Sequence, residues 1–140
     1  MFGVETEYAI AGINGKEPML REDLVGRLFG VARRRLAHLQ DTCSPSGIFL
    51  ENGARFYTDC GLHPELTTPE CTTPWDVARY IKAGERILEA LVDEVQAKAG
   101  AAVEVMIFRC NVDYSGTGST WGCHESYLHR ASPASLPEQL

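Results

Sequence analysis

The residues able to do chemistry in this 140-residue chain crowd into two short stretches. The longer runs from Asn52 to Glu70 and holds Arg55, Tyr57, Asp59, His63 and Glu65. Its Asn52-Gly53 pair predicts a type I′ hairpin turn, because both residues tolerate positive φ. The strand that follows alternates faces. Arg55, Tyr57 and Asp59 then share one side, and Phe56, Thr58 and Cys60 share the other. The second set suits a core; the first does not, since an unpaired charge is costly to bury. His63-Pro64 is expected to bend the chain, because the residue before proline avoids the helical region. Glu65 follows directly. The shorter stretch is FGVETEYAIAGI, Phe2 to Ile13, where a strand puts Glu5 and Glu7 on one face. Two such carboxylates repel each other unless a cation lies between them, and a hard ion such as Mg2+ is the natural occupant. A plainer alternative stays open: solvated strand faces, with Arg55 simply paired to Asp59.

Other candidates carry weaker signals. Cys60 with His63, or Cys123 with His124, has half of a zinc spacing but no matching second half. The five cysteines are odd in number and show no Cys-x-x-Cys, which favours reduced thiols in a cytoplasmic protein. The glycine- and serine-rich loop Asp113 to Gly122 could cradle phosphate with backbone N–H groups, but it lacks a P-loop lysine. His124 could equally be a buried, paired histidine. A net charge of −6 argues against nonspecific nucleic-acid binding. No apolar run approaches the roughly 20 residues that span a bilayer, and the first residues do not look like a signal peptide.

The elements that must position these residues follow in order. A first strand covers Phe2 to Ile13, and Asn14 to Pro18 is a turn. Arg21 to about Gln40 is predicted helical, with Leu24, Leu28, Val31 and Leu39 inward. The three arginines Arg33, Arg34 and Arg35 then form a solvated face. Asp41 to Gly47 is a loop, and Ile48 to Leu50 a strand paired through Asn52-Gly53 with the next one. Thr73 caps a helix with Pro74 at its first position. That helix runs to about Ala99 before Gly100, burying Val77, Ile81, Leu88, Leu91 and Val95. Ala102 to Val112 is a strand. The pattern predicts an α+β fold with a mainly antiparallel, curved sheet packed by helices. Residues 1–140 form one unit, ordered over about 1–130 with a tail over 131–140.

The sequence resembles the family of Pup ligases and Pup deamidases, relatives of glutamine synthetase and the carboxylate–amine ligases. Three blocks carry the likeness: Gly3-Val-Glu-Thr-Glu-Tyr8; Asn52-Gly-Ala-Arg55 with His63-Pro-Glu65 and Thr68-Pro-Glu-Cys71; and Asn111-Val-Asp113 with Gly122-Cys-His-Glu125 and Tyr127-Leu128. Lys82-Ala-Gly-Glu-Arg86 fits as well. Family members are considerably longer, so the chain looks like their amino-terminal portion, a partial glutamine synthetase-like catalytic core. The resemblance implies that Glu5, Tyr57 and Glu65 hold Mg2+, that Arg55 and Thr68 contact ATP, and that Asp59 is the catalytic carboxylate. It further implies a ligase that joins the C-terminal glutamate of the ubiquitin-like protein Pup to substrate lysines through an acyl phosphate. The alternatives are a Pup deamidase or depupylase and a truncated, inactive binding domain. The three residues between Asp59 and His63 and the Gly122-Cys-His124 block look ligase-like; Thr68-Pro-Glu-Cys-Thr72 and Lys82-Ala-Gly-Glu-Arg86 look more like a deamidase. Leu66, Arg109-Cys110 and Ser126 depart from the family pattern, and none of them is an implied metal ligand.

Overall fold

A computed structural model describes residues 1–43, 45–113, 116–130 and 132. Nine strands and two helices occur among them: β1 (Phe2–Glu7), β2 (Ala9–Asn14), β3 (Glu17–Pro18), α1 (Arg21–Arg35), β4 (His38–Gln40), β5 (Ile48–Leu50), β6 (Arg55–Asp59), β7 (His63–Thr67), α2 (Pro74–Ala99), β8 (Val103–Phe108) and β9 (Cys123–Tyr127). Six strands form one sheet in the order β4-β5-β6-β7-β1-β9, and three form a second in the order β3-β2-β8. Every strand pairing is antiparallel. The α+β expectation holds. The expected tail over 131–140 lies, apart from Ser132, outside the described residues.

Local rules place α2 well. The Thr73 side chain accepts a hydrogen bond from the Asp76 amide, Pro74 occupies the first turn, and Gly100 ends the helix at φ 100°. Its inward stripe buries Leu88, Leu91, Val92 and Val95, while Val77 and Ile81 are only half-buried. α1 contributes Leu24, Leu28, Phe29, Val31 and Ala32 to the same core. From the large sheet come Ile48, Leu50, Phe56 and Leu66. Phe29 stacks on Phe56 with ring centroids 4.3 Å apart and planes 13° off parallel, a geometry that adds to area burial. Gly84 lets α2 approach the sheet. A Cβ there would stand 2.1 Å from Leu66 Cδ2.

Several expectations are corrected. The opening strand is two strands, because the chain crosses between sheets at the buried Tyr8, whose amide donates to the Pro64 carbonyl at 2.8 Å. α1 stops at Arg35, and His38–Gln40 pairs with β5 instead. Sheet pairing overrides the helical period there, and Leu39 is left 76 % exposed. The Asn52-Gly53 turn does join β5 to β6, but only Gly53 takes positive φ. Asn52 instead accepts from the Ala54 amide through its side chain, an Asx arrangement. A second positive-φ bend lies at Gly61 (φ 76°) and Leu62 (φ 61°), so His63 and Pro64 stand inside β7 rather than at a corner. The last expected strand is the shorter β8, and β9 was not foreseen. No helix among the described residues is long and apolar enough to cross a membrane.

Candidate functional site

Strand register assembles the polar face. Tyr57 lies opposite Glu65, and Glu65 opposite Glu7. One step along, Arg55 lies opposite Thr67, Thr67 opposite Glu5, and Glu5 opposite His124. Asp59 faces His63 at the end of the hairpin. Residues opposite one another in a sheet project to the same side. Four strands therefore put these side chains on the face turned away from Phe56 and Leu66.

Two groups of potential metal ligands result. Glu5, Glu65 and His124 each offer a ligand atom within 4.8 Å of the others, and so do Glu7, Asp59 and Glu65. Glu65 belongs to both, and it is 2 % exposed. The second group is all oxygen, the donor set a hard divalent cation prefers. Neither contains a cysteine, so neither zinc half-site finds its completion among the described residues. His124 is exposed, with Nδ1 3.6 Å from Glu5 Oε2, which corrects the buried-histidine alternative.

Burial holds the Glu65 carboxyl above the usual carboxylate range; Asp59, Glu5 and Glu7 push it the same way, against the hydrogen bond from Tyr57. The Tyr57 phenol is in turn raised well above its ordinary value by burial, then by its bond to Glu65 and by the Glu65 and Glu5 charges. Tyr57 thus stays protonated and donates to Glu65. Its hydroxyl is engaged with a carboxylate at the point where the family resemblance implies a metal ligand. A cation between the carboxylates would offset both the burial and the repulsion that raise Glu65, so the donor set fits Mg2+.

The flanks of the cluster are braced. His63 Nδ1 lies 2.7 Å from Glu7 Oε2 with both side chains nearly buried, and the His63 ring packs on Trp121 with centroids 5.2 Å apart. A Cβ on Gly122 would stand 2.8 Å from Glu7 Oε1. Arg55 does not pair with Asp59; its partner is Asp41 at 2.6 Å. Thr68 sits just past β7, and its hydroxyl accepts from the Val4 amide at 3.1 Å. Thr67, not Thr68, shares the face of Arg55 and Glu5. Of the phosphate-cradle loop 113–122, Tyr114 and Ser115 lie outside the described residues.

Sequence reasoning missed Asp41, Thr67 and His124 as members of this neighbourhood. Loop composition hid Asp41, since nothing local says that a loop aspartate will be buried. For His124 the available signal was the polar alternation of Cys123 to Tyr127, which is weak without its partner strand.

Comparison with known proteins bears on this geometry. A family profile described as Pup-ligase protein matches residues 1–138. The Pup–protein ligase of Acidimicrobium ferrooxidans is 39 % identical over 131 residues, covering 91 % of this chain and 27 % of that protein. The Pup–protein ligase of Corynebacterium glutamicum strain R is 37 % identical over 131 residues, covering 91 % of this chain and 26 % of that protein. A solved complex between Prokaryotic Ubiquitin-like Protein Pup and its ligase PafA matches with a TM-score of 0.72 at 31 % identity, over 89 % of this chain and 24 % of that one. The chain spans about a quarter of the length of the curated relatives it matches. The profile match runs over nearly every residue, including the strands that carry the carboxylate cluster, and the chain belongs to the Pup-ligase family.

Proposed function

We propose that this chain is the amino-terminal part of a glutamine synthetase-like catalytic domain, and that its acidic face binds Mg2+ and ATP. In this reading the protein attaches the C-terminal glutamate of Pup to lysines of target proteins in the cytoplasm. What carries the reading is the convergence of Glu5, Glu7, Asp59 and Glu65 on one sheet face in a member of this family. Relatives named as ligases favour ligation over deamidation.

The proposed roles follow from placement. Glu5 and Glu65 hold the ion, with Tyr57 orienting Glu65 by its hydrogen bond. An Mg2+ ion held there would supply charge neutralisation for a γ-phosphoryl group being passed to a carboxylate. Arg55, with 29 % of its side chain exposed, offers its free N–H groups to phosphate. Thr68 completes the nucleotide contacts through its hydroxyl proton: that oxygen accepts from the Val4 amide, and the Thr68 amide is taken by the Val4 carbonyl. Asp59 takes the proton from the incoming lysine amine, which is otherwise protonated and not nucleophilic. The new amide bond then forms as phosphate leaves the activated carboxylate.

Calorimetric titration of the chain with Mg2+, then ATP, tests the site: heat is expected, and Glu65→Gln should remove it. The chemistry is tested by exchanging residues 1–130 into the Corynebacterium glutamicum relative. Pup ending in glutamate, ATP and a lysine-bearing protein should then yield conjugates. Ammonia from Pup ending in glutamine, without conjugates, would favour the deamidase instead.

A further inference from the structure

We propose that Asp41 is a positioning residue that holds Arg55 over the Tyr57 ring and cancels its charge beside the metal-binding carboxylates. The inference rests on the Mg2+–nucleotide reading of the site. Asp41 opens the loop between β4 and β5, and its side chain is 2 % exposed. Its Oδ2 accepts from Arg55 Nε at 2.7 Å and lies 2.6 Å from Nη2. Its Oδ1 accepts from the Cys43 amide at 2.8 Å. The Arg55 guanidinium carbon then lies 3.9 Å from the centroid of the Tyr57 ring, and Tyr57 bonds Glu65. A line of contacts thus runs from a loop carboxylate to the residue shared by both ligand groups. Gly47 leaves room for it: a Cβ there would stand 2.7 Å from Asp41 Oδ2 and 3.1 Å from Tyr57 Cβ.

Two consequences follow. A guanidinium has five N–H donors in a fixed fork. Asp41 occupies the Nε–Nη2 edge, which leaves the Nη1 edge for an anion. An uncompensated guanidinium this close would also repel a divalent ion, since charge effects grow as the surroundings lose water. The Asp41 carboxylate cancels that repulsion, so Arg55 can serve phosphate without weakening the metal site.

The test is a double-mutant cycle of Asp41→Asn and Arg55→Gln, titrated with Mg2+ alone and with Mg2+ plus ATP. Asp41→Asn should weaken Mg2+ binding by about tenfold or more, as for other groups that orient metal-site residues. In the Arg55→Gln background the same change should cost less than about twofold. Equal losses in both backgrounds would show a merely structural role and overturn the proposal. Arg55→Lys keeps the charge but can neither chelate nor stack flat, so it should lose Mg2+–ATP binding in the same way; unchanged affinity there overturns the proposal too. NMR of the Arg55 Nε–H needs no metal. Its exchange with water should be slow in the native chain and fast in Asp41→Asn, and slow exchange in both overturns the proposal. A native chain that binds no Mg2+ sinks the function proposed above, while this NMR signal still decides whether Asp41 holds Arg55.

Discussion

Glu65 and Leu66 are neighbours in β7, both nearly inaccessible to water, and they face opposite sides of one sheet. Leu66 enters the core and meets α2 at Gly84. Glu65 enters a cluster of like charges. Burying Leu66 stabilises the fold, by the roughly 1.5–3 kcal/mol usual for such a side chain. Burying Glu65 works against it, because desolvation penalises the ionised form. The same strand therefore supplies folding energy on one face and gives some up on the other. A protein tolerates that second kind of burial where function requires it.

The contrast can be broken most severely from the apolar side. Phe56→Ala removes the ring stacked on Phe29 and should cost about 3–5 kcal/mol of unfolding free energy in denaturant titration. Gly84→Ala drives a methyl into Leu66 and should cost about 1–3 kcal/mol by overpacking, despite the better helix propensity of alanine. A result near zero would mean that α2 is not wedged against β7.

From the acidic side the sign reverses. Glu65→Gln should raise the melting temperature of the metal-free chain at neutral pH, while abolishing the further rise that Mg2+ gives the native chain. The pH dependence sharpens the point. The folded chain holds the Glu65 proton to a higher pH than the unfolded chain, whose reference value is 4.5. The folded state therefore binds more protons in the window above 4.5, and this residue's contribution to stability falls as pH rises through it. Relative to Glu65→Gln, the metal-free native chain should lose melting temperature across that window, and Mg2+ affinity should climb over the same range. A parallel pair of melting curves would contradict the assigned burial effect. The smallest effect is expected on the outer face of α2, where Lys82 and Arg86, the cations of the Lys82–Glu85 and Arg86–Glu89 pairs, are well exposed. Alanine at Lys82 or Arg86 should change stability by less than about 1 kcal/mol.

What the sequence disclosed, and what it withheld, divides along similar lines. Signals carried within a few residues were legible: the Thr73-Pro74 start of α2, its stop at Gly100, and the alternation that sorts Tyr57 and Asp59 from Phe56. The face shared by Glu5 and Glu7 was legible for the same reason. Features that depend on a distant partner were not. The end of α1 is set by the pairing of His38–Gln40 with β5, not by any stop signal at Arg35. The break at Tyr8 requires the Pro64 carbonyl, and β9 requires β1 as its neighbour. Asp41 reaches Arg55 across 14 positions of sequence, and no periodicity predicts such a contact. The Asn52-Gly53 and Gly61-Leu62 bends show a subtler limit. Turn residues announced the bend at Gly53, whereas the positive φ of Leu62 in the second bend follows from the β6–β7 register and not from any turn residue there.

β1 lies between β7 and β9, and both neighbours are synthesised after it, β9 more than a hundred positions later. During translation the opening strand must wait with its hydrogen-bonding edges unfilled, first for residues 63–67 and then for 123–127. Pairings of such wide sequence separation are slow to form, and an idle strand edge invites association with other chains. Glu5 and Glu7 give that waiting strand two negative charges. The carboxylates proposed to grip a metal in the finished protein would thus also keep its nascent form apart from its neighbours on the polysome.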